Sequence, residues 1–217
     1  MLQASTIQFL KQLKLNNHKP WMDEHRKQYE AAKQDFEHLV QQLIEGIGQF
    51  DAGIASLSPK ECIFRLNRDV RFSNNKDPYK TNFGAAFTVG GKKAEGAGYY
   101  LHIEPDQSFI GGGCWMPQAP ILKNIRQEID YNFTDFEAIV HNKDFQKTYG
   151  LLTGEKLKKA PQGYPTDHAG VEYLKHKSFT AMHNIKDSLL TSDNAVASYL
   201  QDFKTLHPLI AFLNRAL

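Results

Sequence analysis

Apolar residues recur at helical spacing at both ends of the chain and at strand spacing in the middle. Near the start, Ile7, Phe9, Leu10 and Leu13 mark one face of a short helix, with Ser5 or Thr6 as its cap and Asn16-Asn17 as its end. Pro20 suits the first turn of a second helix, where a missing N–H costs nothing. From Trp21 the pattern continues through Tyr29, Phe36, Leu39, Val40, Leu43, Ile44 and Ile47, predicting one long amphipathic helix that stops near Gly46 or Gly48.

The middle is rich in aromatic and β-branched residues. Stretches 62–72, 83–89, 99–104 and 108–110 are predicted strands, joined by the Gly90-Gly91 to Gly98 connection and by Pro105-Asp106. Short connections favour antiparallel pairing, hence a meander of about four strands. Helices are expected over 121–129 and from a Thr134-x-x-Glu137 capping box, near 171–175, over 194–203 and over 208–216, with a further strand at 178–182. The sum is an α+β fold: a central antiparallel sheet of four or more strands flanked by helices, in a single domain over 1–217.

Composition narrows the class. The 217 residues are 41% hydrophobic and 23% charged, a globular balance, and 14 Phe, nine Tyr and two Trp supply large core side chains. No apolar run reaches the roughly 20 residues of a membrane span, and Lys11 and Lys14 interrupt the segment where a signal peptide would be apolar. With only Cys62 and Cys114, a cytoplasmic location and no disulfide framework are expected. The net charge of +2 implies no nucleic-acid or membrane partner by itself. Its distribution is uneven: Arg65 to Lys80 holds five basic and two acidic residues, so the rest of the chain is net negative.

Read as a strand, that stretch places Arg65, Asn67, Asp69 and Arg71 on one face, and Phe64, Leu66, Arg68, Val70 and Phe72 on the other. Arg68, set among apolar neighbours, would require a carboxylate partner. Asp77-Pro78 makes a turn that brings Lys76, Tyr79 and Lys80 beside the strand's end. Guanidinium forks and lysine ammonium groups suit phosphate or carboxylate, with Tyr79 as a further donor. A structural ion-pair network uses the same residues.

The motif Arg65-x-x-Arg68-Asp69-x-Arg71-Phe72 followed by Lys76-x-x-Tyr79 resembles the signature of a bacterial family known as domain of unknown function 2461. Further pieces similar to that family are Asn17-His-Lys-Pro-Trp21, the 98–105 stretch, Gly112-Gly113-Cys-Trp115-Met-Pro117 and the 157–164 stretch. The resemblance covers nearly the full chain and implies membership without implying an activity.

Other candidates are weaker. Tyr100, His102 and Glu104 share a strand face, and His102 is the one candidate for acid–base catalysis. Arg126 sits on a predicted helix, Lys158, Lys159 and Tyr164 on a Gly/Pro loop, and Asp167-His168 are adjacent without being thereby in contact. The nine His form no metal-ligand spacing, no nucleotide-binding glycine loop is present, and Cys114 lacks a base, so neither metal nor cofactor is expected. Gly111 to Gly113 are expected to permit a bulge or close backbone approach, and Trp21 and Trp115 to be core anchors.

Three functional readings follow. The first is a small-molecule site for a phosphate- or carboxylate-bearing ligand, built from Arg65, Arg68, Asp69, Arg71, Lys76, Tyr79, Lys80 and Tyr100. The second is nucleic-acid binding through the same cations. The third is a non-catalytic interaction protein whose cluster is structural.

Overall fold

The computed structural model describes residues 1–217. In chain order the elements are α1 (Ala4–Leu15), α2 (Lys19–Glu24), α3 (Arg26–Gly48), α4 (Pro59–Cys62), β1 (Phe83–Phe87), β2 (Gly98–Ile103) and β3 (Phe109–Cys114). There follow α5 (Ala119–Tyr131), α6 (Phe133–Val140), α7 (Lys143–Tyr149), α8 (Val171–Leu174), β4 (Phe179–Asn184), α9 (Asp187–Leu190) and α10 (Ala195–Asn214). The four strands form one antiparallel sheet in sequence order, so the α+β arrangement is the expected one. No helix is long and apolar enough to cross a membrane.

Alternation divides the sheet into two faces. Phe83, Ala85 and Phe87 of β1, Tyr99, Leu101 and Ile103 of β2, and Ile110 of β3 are buried. Phe83 stacks on Phe36 of α3, while Phe87 and Tyr99 meet Phe203 of α10 edge-on. One face is thus covered by α3 and α10. The buried side chains form a single contiguous cluster that also includes α1 and α6.

Close approach on that face depends on glycine. A Cβ at Gly112 would lie 2.4 Å from the Gly98 carbonyl oxygen and 2.7 Å from a Leu206 methyl on α10. α3 stops at Gly48, one of the two glycines expected to end it, while Gly46 lies inside it and lets Leu200 of α10 pack where its Cβ would be. The predicted glycine role of close approach holds within β3. These glycines belong to a strand that extends four residues beyond the predicted end at Ile110.

Several elements differ from expectation. The long N-terminal helix is two, because His25 leaves helical geometry, its ring stacking on Trp21 and its Nδ1 contacting the Trp21 carbonyl. Neither Ser5 nor Thr6 caps α1. The Asp35 carboxylate of α3 instead accepts from the Gln3 amide and the Thr6 hydroxyl, at 2.8 and 2.6 Å. The Thr134 capping box does not form: Asn132 takes the junction between α5 and α6, and its amide donates to Glu128. The two C-terminal helices are one, with Pro208 inside α10. Proline removes the bond to the carbonyl four residues back, that of Lys204, an exposed residue on the outer side of the helix.

Residues 62–72 are not a strand. Cys62 ends α4, whose Ser58–Glu61 capping box is complete, and the following chain is extended without a continuous ladder. It is tied down at intervals: Phe64 N–H donates to the Gly84 carbonyl, Arg68 N–H to Pro78, and Lys80 N–H to Leu66. Pro78 has no N–H to return, and a turn at residues 71–72, closed by Ser73 N–H donating to the Val70 carbonyl, takes the chain away. The alternation nevertheless persists to residue 70: Cys62 and Leu66 are buried while Arg65, Asn67 and Asp69 are exposed. It fails at Phe72, which is 96% exposed.

Gly112→Ala is expected to lower unfolding free energy by about 1–3 kcal/mol, because the clash is with backbone rather than a flexible side chain. Chemical denaturation checks this; an unchanged midpoint would show that α10 does not depend on this contact.

Candidate functional site

The opposite face of the sheet has no helix seated on it. Its floor is set by alternate positions with little or no side chain: Ala86 on β1, Gly98 on β2, and Gly111 and Gly113 on β3. Around this floor stand Phe64, Lys80, Tyr100, His102, Phe109 and Trp115, enclosing a cavity of about 600 Å³. That volume lies within the range of small-molecule sites.

β2 contributes a polar row to the cavity edge. His102 Nε2 lies 3.2 Å from Glu104 Oε2, and its Nδ1 lies 3.3 Å from the Asn82 amide nitrogen and 3.4 Å from the Tyr100 hydroxyl. Phe109 stacks on the imidazole at 4.7 Å. The second Glu104 oxygen accepts from Thr81 at 2.7 Å, with Lys14 at 3.9 Å. Burial raises the Tyr100 pKa, so its hydroxyl stays protonated and available as a donor. The row thus sets the His102 imidazole between a carboxylate and an amide, beside a phenolic donor.

The predicted cations separate into two groups. Lys80 is half-buried at the cavity wall, its Nζ 5.4 Å from the Phe64 ring centroid. Burial, and then neighbouring Arg65, lower its pKa, and no acidic group opposes them. Arg65 is exposed and makes no side-chain hydrogen bond within the protein. Lys80, with Tyr100 and His102, lines the open face; Arg65 lies outside the cavity lining but near enough to Lys80 to act on its charge.

The others are engaged within the loop. Arg71 donates twice to Asp69, at 2.9 and 2.6 Å, an exposed pair in which the Arg71 hydrogen bonds lower the carboxyl pKa. Lys76 Nζ donates to the Val70 carbonyl at 3.1 Å. Arg68 has no carboxylate partner; its guanidinium donates to the Asp77 carbonyl at 3.2 Å and the Ser73 hydroxyl at 3.3 Å. The expected buried ion pair is replaced by a loop brace, possible because Arg68 is only half-buried and keeps water on part of its charge. Tyr79 is clamped at its backbone, its N–H donating to the Asn17 side chain at 3.1 Å and its carbonyl accepting at 2.9 Å. The chain segments 17–21 and 65–80 are thus joined through Asn17.

Trp21 is buried, whereas Trp115 is 75% exposed at the cavity mouth rather than a core anchor. Phe64, Phe109, Met182 and Asn82 escaped the sequence reading as site residues. The available signal was the Gly-x-Gly alternation of 111 and 113, which marks a strand face without side chains.

The remaining candidates serve structure. Arg126 donates to the carbonyls of Leu174 and His176, at 2.8 and 3.1 Å. His168 pairs with Asp130 at 2.9 Å, not with adjacent Asp167, and accepts from the Gly170 amide. Lys158 and Lys159 are exposed and lie outside the cavity lining. Burial pushes the Cys114 and Cys62 thiols up to about 11, which disfavours a nucleophilic thiolate. No three His, Cys, Asp or Glu side chains converge closely enough to hold a metal ion.

His176 is buried, its Nδ1 has no partner, and desolvation lowers its pKa from the ordinary imidazole value of about 6.5 to about 4. The unfolded chain therefore binds a proton that the native chain refuses between these values. Native stability should fall as pH drops from 6.5 towards 4, by up to roughly 3 kcal/mol from this group. Denaturation midpoints at pH 7 and pH 5 should converge more closely in His176→Gln than in the parent; equal pH slopes would contradict the assignment.

A family model described as "Conserved hypothetical protein (DUF2461)" matches residues 5–212. No curated protein and no solved structure matches the chain.

Proposed function

The chain belongs to the DUF2461 family of conserved hypothetical proteins, and we propose that its open sheet face binds a small molecule through a phosphate or carboxylate group. The observation that carries this reading is Lys80: a half-buried ammonium on a cavity wall with no acidic partner. Charge withdrawn from water without compensation is costly unless something else supplies the counter-charge. An anionic ligand does so, and Arg65 beside it adds a guanidinium fork.

The reading shifts the anion site from the loop tip to the sheet. Arg71 and Lys76 already have partners within the loop, whereas Lys80 and Arg65 do not. His102, held by Glu104, is the residue placed to exchange a proton with a ligand that also meets Tyr100. Two buried free cysteines suit a reducing compartment, and we place the protein in the bacterial cytoplasm.

Inorganic phosphate should raise the thermal midpoint saturably, with about 2.7 kcal/mol of stabilisation at one hundred times its dissociation constant. Lys80→Met should abolish the shift, and Arg71→Ala should leave it intact. A shift lost in Arg71→Ala but kept in Lys80→Met would move the site back to the loop. Oligonucleotide binding that weakens steeply between two salt concentrations, without a phosphate shift, would favour a nucleic-acid partner instead.

A further inference from the structure

We infer that the ligand of this face carries its anionic group on a planar aromatic ring. The inference rests on the anion-site reading and concerns the part of the cavity that an anion alone would not use. A site of about 600 Å³ holding only an inorganic anion would remain largely water-filled against apolar walls.

The walls specify the shape of what replaces that water. Phe64, Tyr100 and Phe109 form a continuous aromatic series, with Phe64 to Tyr100 centroids 6.2 Å apart at 63° and Tyr100 to Phe109 5.6 Å apart at 42°. Such a series offers both ring edges and ring faces, the surfaces to which another ring adds by offset or edge-on packing. At the other side Trp115 and Met182 are 75% and 45% exposed, leaving large apolar side chains in water at the rim. Exposed apolar surface gathered at one cavity marks a binding surface more than scattered exposure does.

The floor limits the thickness of the ligand less than its width. Gly111 and Gly113 are adjacent same-face positions on β3, about 7 Å apart, and Gly98 pairs with Gly113 about 5 Å away on β2, while Tyr100 stands at the fourth corner and separates Gly111 from Ala86. A single aromatic ring fits against this corner of three glycines, with the Tyr100 ring as its side wall. Met182 leans over Gly111, its Cγ 3.2 Å from the position a Cβ would take, and an unbranched thioether adapts readily to a ring face.

Of the two lysines lining the slot, Lys92 donates to the Lys60 carbonyl, and the Lys80 ammonium makes no hydrogen bond within the protein. Lys80 Nζ is 5.4 Å from the Phe64 centroid, so the cation adjoins the aromatic series rather than facing it across open solvent. A ligand whose acid group is attached directly to its ring places both parts at once. The chemical class is an aryl phosphate or an aromatic carboxylate.

Calorimetric titrations with inorganic phosphate, glycerol 3-phosphate and phenyl phosphate test the inference on the full chain. Phenyl phosphate should bind at least tenfold more tightly than glycerol 3-phosphate and should quench tryptophan fluorescence. Because Trp21 is buried, Trp115→Phe should remove that quenching. Trp115→Ala, an exposed position with little risk to folding, should weaken phenyl phosphate about tenfold and leave inorganic phosphate unchanged. Ala86→Leu, which fills the floor, should do the same, with circular dichroism to verify that it folds. Equal affinity for phenyl and glycerol phosphates would overturn the ring while leaving the anion site standing. Failure of all three to bind would overturn the anion site and the ring together. A single-stranded oligonucleotide that binds far more tightly than phenyl phosphate, with strong salt dependence, would replace both by a nucleic-acid surface.

Discussion

The packing of α10 and α3 against one face of the four-stranded sheet is the constraint on which the rest of the molecule depends. It consumes the odd-numbered aromatic and aliphatic positions of β1 and β2, and it requires a glycine at 112 because Leu206 and the neighbouring strand leave no room for a Cβ. With those helices on one side, the alternate positions are committed to the other. There the same strands present Ala86, Gly98, Gly111 and Gly113, a floor with almost no side chains, bordered by aromatic residues. Half-covered antiparallel sheets ordinarily present a polar outer face to water. This one presents a recess with an unpaired cation at its edge.

The allocation of cations within residues 65–80 follows from which of them have neighbours to satisfy. Arg68, Arg71 and Lys76 are bound into their own loop by two carbonyls, a hydroxyl and one exposed carboxylate. Exposed pairs of this kind contribute little to stability because water and salt screen them. Their effect is to hold the loop in one shape, with Asn17 fixing its exit at Tyr79. Lys80, next in line, is thereby placed against Phe64 at the sheet edge. The basic stretch thus braces its own loop for most of its length and leaves the side chains of Arg65 and Lys80 without hydrogen-bond partners within the protein.

The α+β class, the long amphipathic helix and the meander were legible because burial on one face imposes periodicity on the sequence. What escaped had a local cause each time. The break at His25 comes from a ring stacked on Trp21, and α10 survives Pro208 because the lost hydrogen bond lies on its outer side while its buried side chains keep packing. Residues 62–72 alternate in burial as a strand would, yet Pro78 and the turn residues deny them a continuous ladder, so the pattern was visible and the element was not. At the site, Tyr100, His102 and Lys80 were identifiable by chemistry. Phe109, Trp115 and the glycine floor were not, because apolar residues and glycines acquire meaning only once the faces of the sheet are known.

We propose that Lys80, not the loop tip, receives the ligand's charge. Lysine side chains labelled with 13C at Cε report this directly by nuclear magnetic resonance, with the Lys80 signal assigned by its loss in Lys80→Met. Titration with inorganic phosphate should move the Lys80 resonance saturably while Lys76 stays in place. A silent Lys80 beside a saturating Lys76, or uniform small drifts across all lysines, would contradict the claim.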